Sequence, residues 1–149
     1  MTPTQRGSMK AFTLIQSLLS FLFILLFSTA SFANLNNPQI RICHQLGGTF
    51  FVAESADDEI GFCQFDASVI GTLDLMQLKN ESQKVHSVEN YENQVPRCSP
   101  WGQVENLKID GQSNLQVCRY SDNSRIGVAT LEAGRLSEEN KKLNKALNF

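Results

Sequence analysis

Apolar and polar positions change rhythm several times along this chain. Residues 11–27 are almost wholly apolar and run into Ser28-Thr29-Ala30-Ser31-Phe32-Ala33, with Arg6 and Lys10 the only charges before them. A basic, then apolar, then small-residue order is what a secretory signal peptide requires, and Ser31 and Ala33 are small side chains that a peptidase pocket accepts. Residues 1–33 are therefore read as a leader cut after Ala33, with Met9 as an alternative start. A retained anchor is disfavoured because the stretch is short for a membrane span. A lipoprotein is disfavoured because Cys43 lies ten residues past Ala33 rather than at the cut.

Beyond the leader the pattern shortens. Asn37 and Pro38 open, and Gly47-Gly48 close, a stretch that reads as a short helix. Residues 49–53 are β-branched and aromatic, 55–59 form a polar tip, and 60–65 read as a returning strand. Alternation puts Cys63 and Phe65 on one face of that strand and Ile60 and Phe62 on the other. After a turn at Asp66-Ala67-Ser68, residues 69–78 fit a third strand or a short helix. Residues 77–96 are polar and weakly patterned, as a linker or a mobile helix would be. Strands follow at 104–109 and 114–120 around Asp110-Gly111, and then the stretch 125–131; Pro96 and Pro100 argue against a helix at Cys98. The end, from Ser137, is a helix with acids leading and lysines trailing. It is read as a solvated terminal helix, with Leu136, Leu143 and Leu147 as a weak apolar stripe that a partner would otherwise cover.

The cysteines change this picture most. All four follow the leader, an even number, as in a disulfide framework of an oxidising compartment. Four cysteines allow three pairings. Cys43 to Cys63 spans 20 residues, Cys98 to Cys118 again spans 20, and each member of the first pair lies 55 before its counterpart. Gly47 and Gly102 each lie four after the leading cysteine, and Phe65 and Tyr120 each lie two after the trailing one. Ser68-Val69-Ile70-Gly71 answers Ser124-Arg125-Ile126-Gly127. This self-similarity reads as a duplicated unit and selects Cys43 with Cys63 and Cys98 with Cys118. Units so short need a staple, because they bury too little apolar surface alone.

The expected fold is α+β: two tandem small units, each a short helix or loop disulfide-tied to a β-hairpin or three-stranded meander, plus a C-terminal helix. The segments are a signal peptide at 1–33, a first cysteine-stapled unit at 34–76, a polar linker at 77–96, a second unit at 97–136 and the helix at 137–149.

Charge and candidate chemistry narrow the function. Removal of the leader takes two of 13 basic residues and none of the 15 acidic ones, leaving a net charge of −4 and no basic field for nucleic acid or anionic lipid. His44 adjoins Cys43, but an oxidised cysteine is no nucleophile, so the couple is not read as catalytic. Asp57, Asp58 and Glu59 lack the spacing of a calcium loop and are read as a solvated tip. His44 and His86 are the only histidines and no Cys-x-x-Cys occurs, so zinc spacing is absent. Trp101, the lone tryptophan, is read as core, with an aromatic binding anchor as the alternative.

Asn37-Pro38, Cys43, Gly47-Gly48, Asp57-Asp58, Gly61-Phe62-Cys63 and Phe65 together resemble an exported bacterial family, domain of unknown function 333, whose members often carry a haemolysin label. The resemblance covers about residues 37–76, and Cys98, Gly102, Cys118, Tyr120 and residues 121–126 repeat it without the double glycine. It implies a compact exported domain and no established mechanism. A second resemblance lies in the leader, where Lys10-Ala11-Phe12-Thr13-Leu14 is similar to a type IV prepilin signature, although Ala11 stands where glycine is usual and Gln16 where glutamate is expected.

The expected function is a non-catalytic, periplasmic or secreted binding or envelope factor. It has no catalytic residue, cofactor or metal site. Its partner is a protein or envelope component of unknown identity, without nucleic acid and without stable membrane insertion of the mature chain. A pilin-like minor subunit is the alternative and a small secreted enzyme the third reading.

Overall fold

A computed structural model describes residues 37–80, 83–98, 100–111 and 113–148. The leader, its cleavage site and the prepilin-like stretch lie outside the described residues.

Helix α1 (Pro38–Gln45) starts where Asn37 caps it, its side chain accepting a hydrogen bond from the Gln39 amide at 2.9 Å, with Pro38 where no amide is needed. Gly47 ends the helix at φ 83°, a left-handed conformation that glycine adopts freely. Gly48 answers a different need. A Cβ there would collide with Cys63 Sγ, so the first disulfide sits where it does only because that side chain is missing.

Strands β1 (Thr49–Glu54), β2 (Glu59–Phe65) and β3 (Ser68–Gly71) form one antiparallel meander; β4 (Gly102–Ile109), β5 (Ser113–Tyr120) and β6 (Arg125–Gly127) form another. Within the second, Asp110 and Gly111 both take positive φ, as the tight hairpin turn after β4 requires. The two meanders share one sheet, a closed barrel in the order β1-β2-β3-β6-β5-β4. Ile70 opposite Ile126 joins β3 to β6, and Glu54 opposite Lys108 joins β1 to β4. Both trailing cysteines hold the same place in the weave: Cys63 lies between Phe50 and Ile70, and Cys118 between Val104 and Ile126.

Alternation along the strands separates two apolar clusters. Ala53, Phe62, Val69, Leu107 and Val117 form one with the half-buried Phe51, Ile60, Ile109 and Leu115. It contains strand residues and no helix residue, as the filling of a small barrel does. On the opposite face Cys63, Phe65, Ile70, Cys118, Tyr120 and Ile126 pack against the helices and both disulfides in the larger cluster.

Residues 69–78, open to either reading, are both: β3 passes directly into helix α2 (Thr72–Asn80), as β6 passes into α4 (Val128–Ala133). The segment 77–96 carries helix α3 (His86–Glu92), and Val85, Val88 and Tyr91, spaced by three, are buried in the larger cluster. No helix flanks Cys98 among the described residues. At the C-terminus a 3-10 turn (Glu138–Asn140) capped by Ser137 leads into α5 (Lys141–Leu147). This end is not the solvated helix expected. Leu143, Ala146 and Leu147 are buried in the larger cluster, while Leu136 stays 84% exposed. Asn140 anchors it: its amide donates to the Thr130 and Gly134 carbonyls at 2.9 and 2.8 Å, and its oxygen accepts from the Ser68 hydroxyl.

The chain thus combines helices with a six-stranded antiparallel barrel and is stapled by two disulfides, Cys43–Cys63 with a Cα separation of 5.5 Å and Cys98–Cys118 with 5.1 Å.

Candidate functional site

The turn after β5, the turn before β4 and helix α3 meet and bring together the polar residues with the best claim to function. In the turn after β5, Asp122 organises its neighbours: Oδ1 accepts from the Ser124 amide and hydroxyl at 3.0 and 2.6 Å, and Oδ2 accepts from the His86 amide at 2.9 Å. Burial pushes the Asp122 carboxyl up, but these bonds and the adjacent His86 ring outweigh it and hold the group below the usual carboxylate range. From Ser124 the chain of bonds continues inward. The Ser87 amide donates to Ser124 Oγ at 2.9 Å, and the Ser87 hydroxyl donates to Asp74 Oδ2 at 2.7 Å.

Asp74 ends the network in the interior, 3% exposed, and also accepts from the Arg125 amide at 2.8 Å. Burial pushes its carboxyl up to about 7; the Ser87 and Arg125 bonds oppose that, and the charge of Asp122 adds to it. Gly71 makes room, since a Cβ there would press on the Asp74 carboxyl at 3.1–3.2 Å. Asp74 therefore ties α2 to α3 and β6.

His86, Asp122 and Ser121 suggest a hydrolytic trio, and their geometry argues against one. Both Ser121 Oγ and Asp122 Oδ2 lie 3.5 Å from the same ring nitrogen, Nδ1. A relay needs the nucleophile on one ring nitrogen and the orienting carboxylate on the other. Among the described residues no group of three or more His, Cys, Asp or Glu side chains is placed to hold a metal ion.

Beside this network stands Trp101, not in the core but 70% exposed. It lies in the turn that precedes β4, where the Gly102 amide donates to the Cys98 carbonyl at 2.7 Å and the disulfide at Cys98 pins the turn to β5. Gly102 has no side chain because the Tyr120 ring fills the space, with ring atoms 2.8 and 2.9 Å from where a Cβ would stand. Burial raises the Tyr120 hydroxyl to about 12, so it stays protonated. The indole is thus held out from a rigid base. Two shallow clefts meet along it, one of about 300 Å³ toward Gln103, Arg119 and Asn123, the other of about 350 Å³ toward His86, Asn90 and Asn93.

No family model matches the chain, and neither a curated protein nor a solved structure matches it.

The residues singled out in the sequence fall in different places. His44 is exposed on α1, away from this site. Asp57 and Asp58 form the exposed tip between β1 and β2 and the exposed Glu59 opens β2, where Asp58 Oδ1 accepts from the Glu59 amide. The four cysteines form the two disulfides, with no free cysteine. Asp74, Ser87 and Asp122 carried no signal strong enough to single them out as a site. An acid inside the apolar stretch 69–78 was the one available hint, because a buried carboxylate demands partners.

Proposed function

We propose that this chain is an exported, disulfide-stabilised binding protein of the periplasm or the extracellular space, acting without catalysis through the surface around Trp101. The exposed indole carries the reading. A large aromatic side chain on a pinned turn between two clefts that mix amide, hydroxyl and apolar lining is how a binding surface presents an anchor. Both disulfides suit an oxidising compartment, and among the described residues no helix is long and apolar enough to cross a membrane. The two meanders, with Cys63 and Cys118 at equivalent positions, support a divergent tandem duplication of a unit resembling domain of unknown function 333. In that unit the double glycine serves the helix stop and the passage of the disulfide. A pilin-like minor subunit is the second reading, favoured by the Lys10-Ala11-Phe12 stretch of the leader.

Two measurements test the proposal. The native protein should be recovered from the periplasm or medium with a chain beginning at Asn34, and its mass should rise by about four daltons on reduction. It should also co-sediment with purified cell-envelope fractions, and Trp101→Ala should abolish that. A chain beginning at Phe12 turns the assignment to the pilin-like reading. A reduced cytoplasmic protein, or co-sedimentation indifferent to Trp101, overturns the proposal.

A further inference from the structure

We infer that the Trp101 shelf binds an uncharged oligosaccharide chain laid across the indole, an inference that rests on the binding role proposed above. The chemistry of the clefts selects the ligand class. Sugars present hydroxyls that donate and accept at once, together with an apolar C–H face. An amide side chain answers the first with a donor and an acceptor in one plane, and an indole face answers the second.

Both are present and close together. Asn93 at the end of α3 lines one cleft, with the buried Asn90 behind it beside the Tyr120 hydroxyl; Gln103 from β4 and Asn123 from the turn after β5 line the other; Ser121 belongs to both, as does Trp101. The charged side chains that line the clefts are of mixed sign, Arg119 in one and Glu89 with His86 in the other. Arg119 is engaged with Asn123, its Nη2 donating to Asn123 Oδ1 at 2.8 Å, and His86 is held by Asp122. No single-sign field exists to draw a nucleic acid or an anionic lipid.

The shape fits a chain rather than a compact molecule. Each cleft lies at the small end of the roughly 300–1,000 Å³ range of small-molecule sites, and both are shallow. With Trp101 on their common border, successive residues of an extended ligand can lie in one cleft, on the indole and in the other cleft. Pinning by the Cys98–Cys118 disulfide and by the Gly102 to Cys98 hydrogen bond means that little order has to be imposed when the ligand arrives. The network from Asp122 to Asp74 does the same for the floor on the α3 side.

Trp101 is the only tryptophan in the chain, so its own fluorescence reports on this site and nowhere else. The intact oxidised protein is titrated with chitotetraose, cellotetraose and xylotetraose, all uncharged, while tryptophan emission is followed, with calorimetry on the same samples. At least one of the three should shift emission saturably. Trp101→Ala should weaken the calorimetric affinity at least tenfold, Trp101→Phe should weaken it less, and Asn93→Ala should weaken it without altering the thermal unfolding midpoint. Absence of any saturable shift at millimolar glycan overturns the inference, as does binding that survives Trp101→Ala. If envelope co-sedimentation still depends on Trp101 while every glycan fails, the binding role stands and the ligand class falls. If co-sedimentation fails too, both fall.

Discussion

Ile70 stands directly opposite Ile126 on neighbouring antiparallel strands, and this pair joins the two meanders into one barrel. Both side chains are fully buried in the cluster that also holds the two disulfides. Truncation of Ile126 to alanine leaves a cavity at the junction and should cost about 2–5 kcal/mol. Because the strands belong to one sheet, both halves should unfold together. Urea unfolding followed by far-UV circular dichroism and by tryptophan emission should give coincident transitions, shifted equally in Ile126→Ala. Two separate transitions would show the halves to be independent.

Cys43–Cys63 and Cys98–Cys118 each close a separation of 20 residues. In the chain-entropy account each stabilises the fold by about 3 kcal/mol. Replacing either pair by alanines should lower stability by an amount of that order, and Gly48→Ala should do harm of another kind, by driving a methyl group into Cys63 Sγ. Overpacking of this sort costs about 1–3 kcal/mol. The two effects should not add: in a protein already lacking the Cys43–Cys63 bridge, Gly48→Ala should be milder, which a double-mutant cycle in urea measures.

Asp74 makes stability depend on pH in an unusual direction. Its carboxyl is raised from an ordinary 3.8 to about 7 in the folded protein, so between those values the folded chain holds a proton that the unfolded chain has lost. Its contribution is therefore greatest below about pH 4, declines as pH rises toward 7, and changes little above, a loss on the order of a few kcal/mol. Asp122, with its carboxyl lowered, acts oppositely and loses its contribution as pH falls through its folded value. Asp74→Asn should flatten the decline between pH 4 and 7 in a series of urea midpoints. A decline that persists in the variant would assign it to other groups.

Asn140 is buried and holds the carbonyls of Thr130 and Gly134 as well as the Ser68 hydroxyl. Asn140→Ala removes all three of these bonds, and although Ser68 keeps the Glu139 carbonyl and the Gly134 carbonyl keeps the Ser137 amide, the loss should cost about 1–3 kcal/mol. The loss should be local first. Amide exchange in α5 should accelerate far more than in β2 or β5, by hydrogen–deuterium exchange at neutral pH.

Local signals in the sequence went a long way. Asn37 caps α1, Ser137 caps the C-terminal turn and Asp110-Gly111 turns the second hairpin, because each conformation is dictated by the residues that adopt it. Cysteine spacing led to the disulfide pairing by the same short-range logic. Barrel closure was not legible. It depends on Ile70 meeting Ile126 and Glu54 meeting Lys108, contacts between distant segments that no local pattern encodes. Leu143 and Leu147 looked too sparse for a packed stripe, and Ala146 between them completes a narrow face that the barrel covers. The site was misread at its centre. A lone tryptophan is usually buried, and the reason this one is not lies in the pinned turn between Cys98 and Gly102 and in the Tyr120 ring beneath it.

Glu54 and Lys108, near the tips of their hairpins, are the one paired position between β1 and β4 among the described residues. Each meander is built from neighbours close along the chain, which form quickly, whereas this seam has to wait for both meanders and for the Ile70–Ile126 contact. Closing the seam is thus expected to come late in folding and to be undone early. Until it closes, β1 and β4 present bare strand edges to other chains, the state in which two copies of this protein are most prone to exchange strands or aggregate.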